Sequence, residues 1–176
     1  GRKLKLNVER YACGKIKGET EVQIRSTVIA YRSRMVGTAN AARNEAGYAL
    51  GRMLLRGEVT ERQYDAGNRY AQVVGDYQRC VGFPSPHPRS LDLGAARGLA
   101  LGGSPDHETI QRVVNRYMAS ITALADAGQV SAAVVREVCV HDHETEMVED
   151  LWRGLDALAD FFKIPNEGVD ERRGSA

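Results

Sequence analysis

Residues 56–69 read RGEVTERQYDAGNR, and this stretch describes the end of one helix, a tight corner and the start of a second helix. Gly57 suits the left-handed backbone conformation that commonly closes a helix. Thr60 is a favourable cap for the next helix, and Gln63 follows at the three-residue spacing of a capping box. Because these independent local signals agree, the sequence predicts a helical corner here. None of them supplies catalytic chemistry.

The helices on both sides of the corner are expected to pack closely. The alanine-rich residues 38–56 predict one helix, and the amphipathic pattern after the corner predicts a second helix that runs to about Val81. Gly47 and Gly51 would leave a bare groove on the first helix, and Gly67 lies inside the second. Glycine costs about 1 kcal/mol in a helix interior, so three glycines predict backbones in close contact.

The second half of the chain predicts another hairpin on the same local plan. Ser104 and Pro105 have the residue types of a helix cap and of a first helical residue. Residues 128–131 read GQVS, which matches the glycine, apolar and hydroxyl order of the first corner. This order predicts that Ser131 caps a short helix.

These elements together predict an all-α protein made of two helical hairpins joined by a proline- and glycine-rich connection, with an extended basic amino-terminal arm. A last helix over about 145–163 would place Trp152 on its inner face, and Pro165 prevents its continuation. The predicted segments are a basic arm with a first helical segment (1–36), a helical hairpin (37–82), a linker (83–104), a second helical hairpin with the carboxy-terminal helix (105–164) and a flexible tail (165–176).

The composition is that of a soluble protein with one domain, or one and a half. The chain has 176 residues, of which 43% are hydrophobic. No apolar run approaches the roughly 18 residues that a membrane-spanning helix needs. The first six residues lack the hydrophobic region of a signal peptide, so cytoplasmic residence is expected. The three cysteines, Cys13, Cys80 and Cys139, form no CxxC pair and fit a reducing compartment.

The net charge of +1 conceals a gradient along the chain. The first 36 residues hold nine basic and three acidic side chains, whereas residues 101–176 hold seven basic and fourteen acidic ones. A basic arm of this kind can contact nucleic acid, or it can neutralise the acidic half of its own fold or of a neighbouring subunit. The candidate DNA-binding residues of this segment are Arg2, Lys3, Lys5, Arg10, Lys15, Lys17, Arg25, Arg32 and Arg34.

The corner itself offers a second candidate DNA surface. Arg62 and Arg69 are seven residues apart and share one helical face, and Arg52 and Arg56 flank the corner from the first helix. Helix-turn-helix proteins place side chains from the start of their second helix into the major groove. Two aspartates dilute this basic stripe, so an ordinary solvated face is the alternative interpretation.

One cluster carries metal-ligand atoms, namely Cys139, His141, His143, Glu144 and Glu146. Such groups can bind zinc, but a closed site needs four converging ligands, and Cys139 lies in an apolar helical pattern. A solvated turn between helices is therefore expected, with no metal and no cofactor. The sequence also has no phosphate-binding loop and no convincing set of acid, base and nucleophile. We expect no catalytic residues and no enzymatic activity.

The corner resembles a helical domain of unknown function that is common in alphaproteobacteria and their phages. That domain occurs in helix-turn-helix proteins and in activators of gene transfer agents, which are domesticated phage particles. The matching corner residues are Gly57, Thr60, Gln63, Tyr64, Ala66, Gly67 and Arg69. Residues 138–139 and 155–162 also match in order and spacing a later family segment, a helix ending in Val-Cys and a terminal Leu-x-x-Leu-Ala helix.

Two departures limit what the resemblance implies. Residues 149–154 stand where the family often has a Trp-Pro and basic-serine segment, and residues 1–40 show no recognisable helix-turn-helix. The resemblance implies a phage or prophage regulator that touches DNA, with its DNA-reading element unassigned.

The expected function is that of a non-enzymatic regulator of phage-type genes that binds double-stranded DNA. One alternative is the small subunit of a phage packaging terminase, which is also helical, binds DNA and forms rings. Another is an adaptor or antitermination-type factor that acts on RNA polymerase or on another phage protein. A homo-oligomer is possible, and no membrane partner is expected.

Overall fold

A computed structural model describes residues 21–81 and 106–166 of the chain. These residues are all-helical, with six α-helices, one short 3-10 helix and no strand, which confirms the predicted fold class. The predicted arm, the linker and all but the first two residues of the predicted tail lie outside the described residues. The elements are α1 (Glu21–Val36), the 3-10 helix (Asn44–Gly47), α2 (Ala49–Leu55), α3 (Glu61–Val81), α4 (His107–Ala127), α5 (Gln129–Cys139) and α6 (Val148–Phe161).

The chain divides into two compact units, residues 1–43 and 44–176. In the first unit, α1 confirms that the first helical segment predicted within residues 1–36 contains a helix. Gly37 follows this helix, with a φ of +79° and its N–H donating to the carbonyl of Ser33. The second unit contains α2 to α6 and the hydrophobic core described below.

The corner between α2 and α3 has the predicted geometry. Gly57 has a φ of +74°, and its N–H donates to the Leu54 carbonyl while that of Glu58 donates to the Met53 carbonyl. These two bonds satisfy carbonyls at the end of α2. The capping box is also formed, because Thr60 Oγ1 accepts from the Gln63 N–H at 3.2 Å and Gln63 Oε1 accepts from the Thr60 N–H at 3.0 Å.

The prediction of one helix over residues 38–56 is wrong. The chain forms turns and the 3-10 helix, passes through the extended residue Tyr48, and only then begins the seven-residue α2. The 3-10 helix folds back onto α2, where a Cβ on Gly51 would lie 2.1 Å from the Glu45 carbonyl oxygen. Helix propensity favours a continuous helix here, but this tertiary contact overrides it.

Both predicted serine caps of the second hairpin are wrong. Asp106, not Ser104, caps α4, because its carboxylate accepts from the Thr109 N–H at 2.6 Å. Gly128, with a φ of +118°, both ends α4 and precedes α5. Ser131 therefore lies inside α5, where it is buried and donates to Asp150 at 3.2 Å. The two hairpins do not share one local plan.

The core of the second unit forms where α3, α4, α5 and α6 pack together. Leu151, Leu155 and Leu158 of α6 are fully buried at its centre. Close contact at Gly67 is confirmed, since a Cβ there would lie 2.4 Å from Leu50 Cδ2 and 3.0 Å from the Cys139 sulfur.

Trp152 is not on the inner face of α6, contrary to the prediction. Its side chain is 42% exposed, and its indole N–H donates to the Glu58 carbonyl at 2.6 Å. The indole therefore lies over the corner between α2 and α3 instead of inside the core.

Candidate nucleic-acid interface

Thirteen basic residues were candidates for DNA contact, and the structure describes seven of them. The other six, which belong to the arm, lie outside the described residues: Arg2, Lys3, Lys5, Arg10, Lys15 and Lys17. The seven described residues form two sets that differ in their electrostatic surroundings. Four lie at the corner of the second unit, and three lie on α1.

Arg52 and Arg56 of the corner share one carboxylate from the turn before α6. Arg52 Nε lies 2.5 Å from Glu144 Oε1, and Arg56 Nη2 lies 2.9 Å from Glu144 Oε2. Arg56 Nε also lies 2.6 Å from Glu58 Oε1, a bond that raises the pKa of the guanidinium. Burial raises the pKa of Glu144, but the hydrogen bonds from both arginines outweigh it and hold that pKa below its usual value. The positive charge of these arginines is thus largely compensated inside the unit.

Arg62 and Arg69 bind the carboxy-terminal end of α6. Arg62 Nη2 lies 2.5 Å from Asp160 Oδ1, and its Nε donates to the Ile164 carbonyl at 3.1 Å. Arg69 makes a longer contact of 3.5 Å with the Phe162 carbonyl. Cations are favourable at a helix carboxy-terminus because the last carbonyls carry partial negative charge. Both residues therefore tie α3 to α6, and the Arg62 side chain is only 17% exposed.

The three arginines of α1 have no such partners. Arg25 and Arg34 are exposed and Arg32 is half-buried, and no carboxylate in the described residues lies within ion-pair distance of any of them. At 100° per residue, Arg25 and Arg32 lie along one edge of a stripe formed by Ile24, Val28 and Tyr31, and Arg34 lies along the other edge. The helix therefore presents an apolar stripe between arginines.

The segment with metal-ligand atoms serves as a structural turn. Asp142 has a φ of +60°, and its carboxylate accepts from the N–H of Ala49 at 2.5 Å, which caps α2 from a distant part of the sequence. His143 lies 2.9 Å from Glu137. The Cys139 thiol faces Gly67, and burial raises its pKa to about 12. Within residues 21–81 and 106–166, no group of three or more histidine, cysteine or acidic side chains could hold a metal ion.

Sequence analysis missed the acidic partners of the corner. Asp142, Glu144 and Asp160 are 88 to 98 residues from the groups that they bind. No periodicity or capping motif connects residues so far apart. The excess of acidic residues after position 100 was the available signal, and it does not identify the individual pairs.

An exposed surface lies at the start of α6, which we call the Trp152 face. It forms a shallow depression whose lining includes Glu146, Met147, Val148, Glu149 and Trp152. Met147 is 48% exposed, and neither Glu146 nor Glu149 has an ion pair with a described basic residue. The face thus combines apolar side chains with two carboxylates that pair with no described basic side chain, whereas Asp150, which also lines it, pairs with Arg153.

Comparison of the chain with protein-family models, with curated proteins and with solved structures gives no match. Among the described helices, none has the length and apolar character required to cross a bilayer.

Proposed function

We propose that the protein is a non-enzymatic DNA-binding regulator of phage-type genes, and that residues 1–36 provide its main DNA contacts. The observation that supports this assignment is the difference between the two arginine sets. The arginines of α1 face no described carboxylate, whereas those of the corner bind Glu58, Glu144, Asp160 and helix carbonyls.

Counterion release explains why this difference matters. A cation gains affinity for DNA by replacing the counterions of a phosphate, and each such contact adds about 0.9 to the slope of log affinity against log salt. Arg52, Arg56 or Arg62 would first have to leave its carboxylate, which offsets much of that gain. The arginines of α1 bear no such cost from the described residues, and the arm before them adds six further basic side chains.

The experiment is a fluorescence anisotropy titration across a salt series, with duplexes from the regions flanking the gene and with random duplexes. In one variant Arg25, Arg32 and Arg34 are replaced by Gln. The matched control replaces three exposed arginines of the second unit, Arg79→Gln, Arg112→Gln and Arg153→Gln, and so changes the net charge equally.

We expect the α1 variant to bind every duplex more weakly and to flatten the salt slope by about 2–3, which corresponds to the loss of up to three phosphate contacts. Deletion of residues 1–18 should act in the same direction. The control variant should bind nearly as the parent does. Equal weakening in both variants would mean that binding follows net charge alone and does not use α1.

The corner is tested separately with Arg62→Ala and Arg69→Ala. If either side chain contacts a base, its replacement should reduce the difference in binding free energy between a preferred site and random DNA by about 1–3 kcal/mol. We expect instead that Arg62→Ala lowers the melting temperature and leaves this difference in binding free energy unchanged, because the guanidinium binds the end of α6. If a folded parent protein binds no duplex at low salt, the DNA proposal fails and the adaptor alternative replaces it.

A further inference from the structure

Two surfaces within residues 21–81 and 106–166 have complementary chemistry. The α1 stripe exposes Ile24 (49%), Val28 (40%) and Tyr31 (64%) between arginines. The Trp152 face exposes Met147 and Trp152 beside carboxylates that have no described basic partner. We propose that α1 of one copy of this chain docks on the Trp152 face of a second copy.

The spacing on α1 fits a helix that lies along an apolar surface. Ile24, Val28, Tyr31 and Met35 follow one another at intervals of four, three and four residues, which places them in one line along the helix. This spacing matches that of the anchor residues by which a helix seats in a groove. The line covers most of the helix, which has 16 residues and is about 24 Å long at 1.5 Å per residue.

The charges of α1 favour binding to the Trp152 face over binding to a second α1 stripe. Pairing two α1 stripes would bring six arginines together, and like charges across an interface are unfavourable. The Trp152 face offers the opposite sign. Glu149 lies beside Trp152 on α6, and Glu146 is exposed at the entrance to that helix. Apolar contact can therefore form in the centre while arginines meet carboxylates at the rim, which is the usual arrangement of protein interfaces.

A two-fold exchange makes the contact large enough for association. If each copy gives its α1 to the other, the same contact forms twice. Since covering an aromatic side chain buries on the order of 200 Å² at most, one contact alone is small. Because specific, stable interfaces bury at least roughly 1,000 Å², even the doubled contact is expected to give a weak association that depends on protein concentration.

This docking requires no DNA, so it can be tested independently of the proposed function. A docked α1 and a DNA-bound α1 are alternative states of one segment, because the arginines at its edges meet either carboxylates or phosphates.

The test is sedimentation of the full chain over a dilution series without DNA, together with tryptophan emission. Trp152 is the only tryptophan of the chain, so its emission reports directly on the proposed surface. We expect a concentration-dependent increase in mass, accompanied by a blue shift as the indole leaves water. Raising the salt concentration should weaken the association, because its rim is ionic.

Three variants locate the contact. Ile24→Asp with Tyr31→Asp should give a monomer, and so should Glu146→Lys with Glu149→Lys. Adding Arg25→Glu and Arg32→Glu to the lysine variant should restore association, because the charges are then exchanged across the interface. Apart from the half-buried Arg32, every residue changed in these variants is exposed, and circular dichroism checks that each variant is folded.

Two matched controls use residues outside both surfaces. Met118→Asp with Ile121→Asp places charges on the exposed apolar side of α4, and Asp65→Lys with Asp126→Lys reverses two other exposed carboxylates. Both controls should associate as the parent does. A parent that stays monomeric, an α4 variant that abolishes association, or a charge exchange that fails to restore it would overturn the proposal.

Discussion

Replacing Gly67 by Ala tests the packing of α3 against its neighbours. A Cβ at this position would lie 2.4 Å from Leu50 Cδ2, 3.0 Å from the Cys139 sulfur and 3.2 Å from Leu155 Cδ2. The Leu50 methyl is the end of a side chain, but that side chain is buried and the sulfur and the second methyl close the other directions. The added methyl therefore has no empty space to enter.

Gly75→Ala supplies the control on the same helix. A Cβ there would approach only the flexible end of Arg79, at 3.6 Å. Alanine is about 1 kcal/mol more favourable than glycine in a helix interior, and this gain applies at both positions. It therefore cancels when the two variants are compared, and the difference isolates the cost of overpacking, which is about 1–3 kcal/mol.

Urea unfolding measures the free energies. We expect Gly75→Ala to be more stable than the parent by up to about 1 kcal/mol, and Gly67→Ala to fall below Gly75→Ala by about 1–3 kcal/mol. Gly67→Leu adds three further carbons and should lose a few kcal/mol relative to the parent. Equal stability of the two alanine variants would refute the close packing inferred at Gly67.

Three further predictions concern the turn before α6 and its surroundings. Arginine hydrogen bonds hold the pKa of Glu144 in the folded protein below its value in the unfolded chain. The ionised Glu144 side chain therefore stabilises the folded state above about pH 4.3, and this stabilisation is lost as the pH falls through the lower pKa of the folded state. Glu144→Gln should therefore lower the free energy of unfolding at neutral pH. In urea unfolding experiments at a series of pH values, this free energy should also decrease less steeply on the acid side than it does in the parent protein. In a variant that keeps Cys139 as its only cysteine, Ellman's reagent should react far more slowly with the native protein than with the unfolded chain, since burial raises the thiol pKa to about 12; equal rates would contradict this. His141→Ala with His143→Ala should leave the melting temperature nearly unchanged with or without a chelator, and stoichiometric zinc that is lost in this variant would reverse that interpretation.

Local sequence signals determined the corner between α2 and α3. Gly57, Thr60 and Gln63 each act on backbone groups within a few residues, so their geometry follows from the residue types and spacing. The same is true of the periodic helix α3, which forms over Glu61–Val81 after the corner. Gly51 and Gly67 also make the close contacts that were predicted from glycine inside a helix, whereas Gly47 lies in the 3-10 helix.

The charge surface was decided by the tertiary structure. Arg62 and Arg52 have the same residue type as the arginines of α1, and all of them were predicted from the sequence as DNA contacts. Only the folded chain brings Asp160 and Glu144 to the corner, from 98 and 92 positions away. The break before α2 has the same origin, since Asp142 caps it across the fold and the 3-10 helix packs on Gly51. Helix type and caps follow from short-range bonds that the sequence encodes directly, whereas the partner of a charged side chain depends on which distant segments pack together.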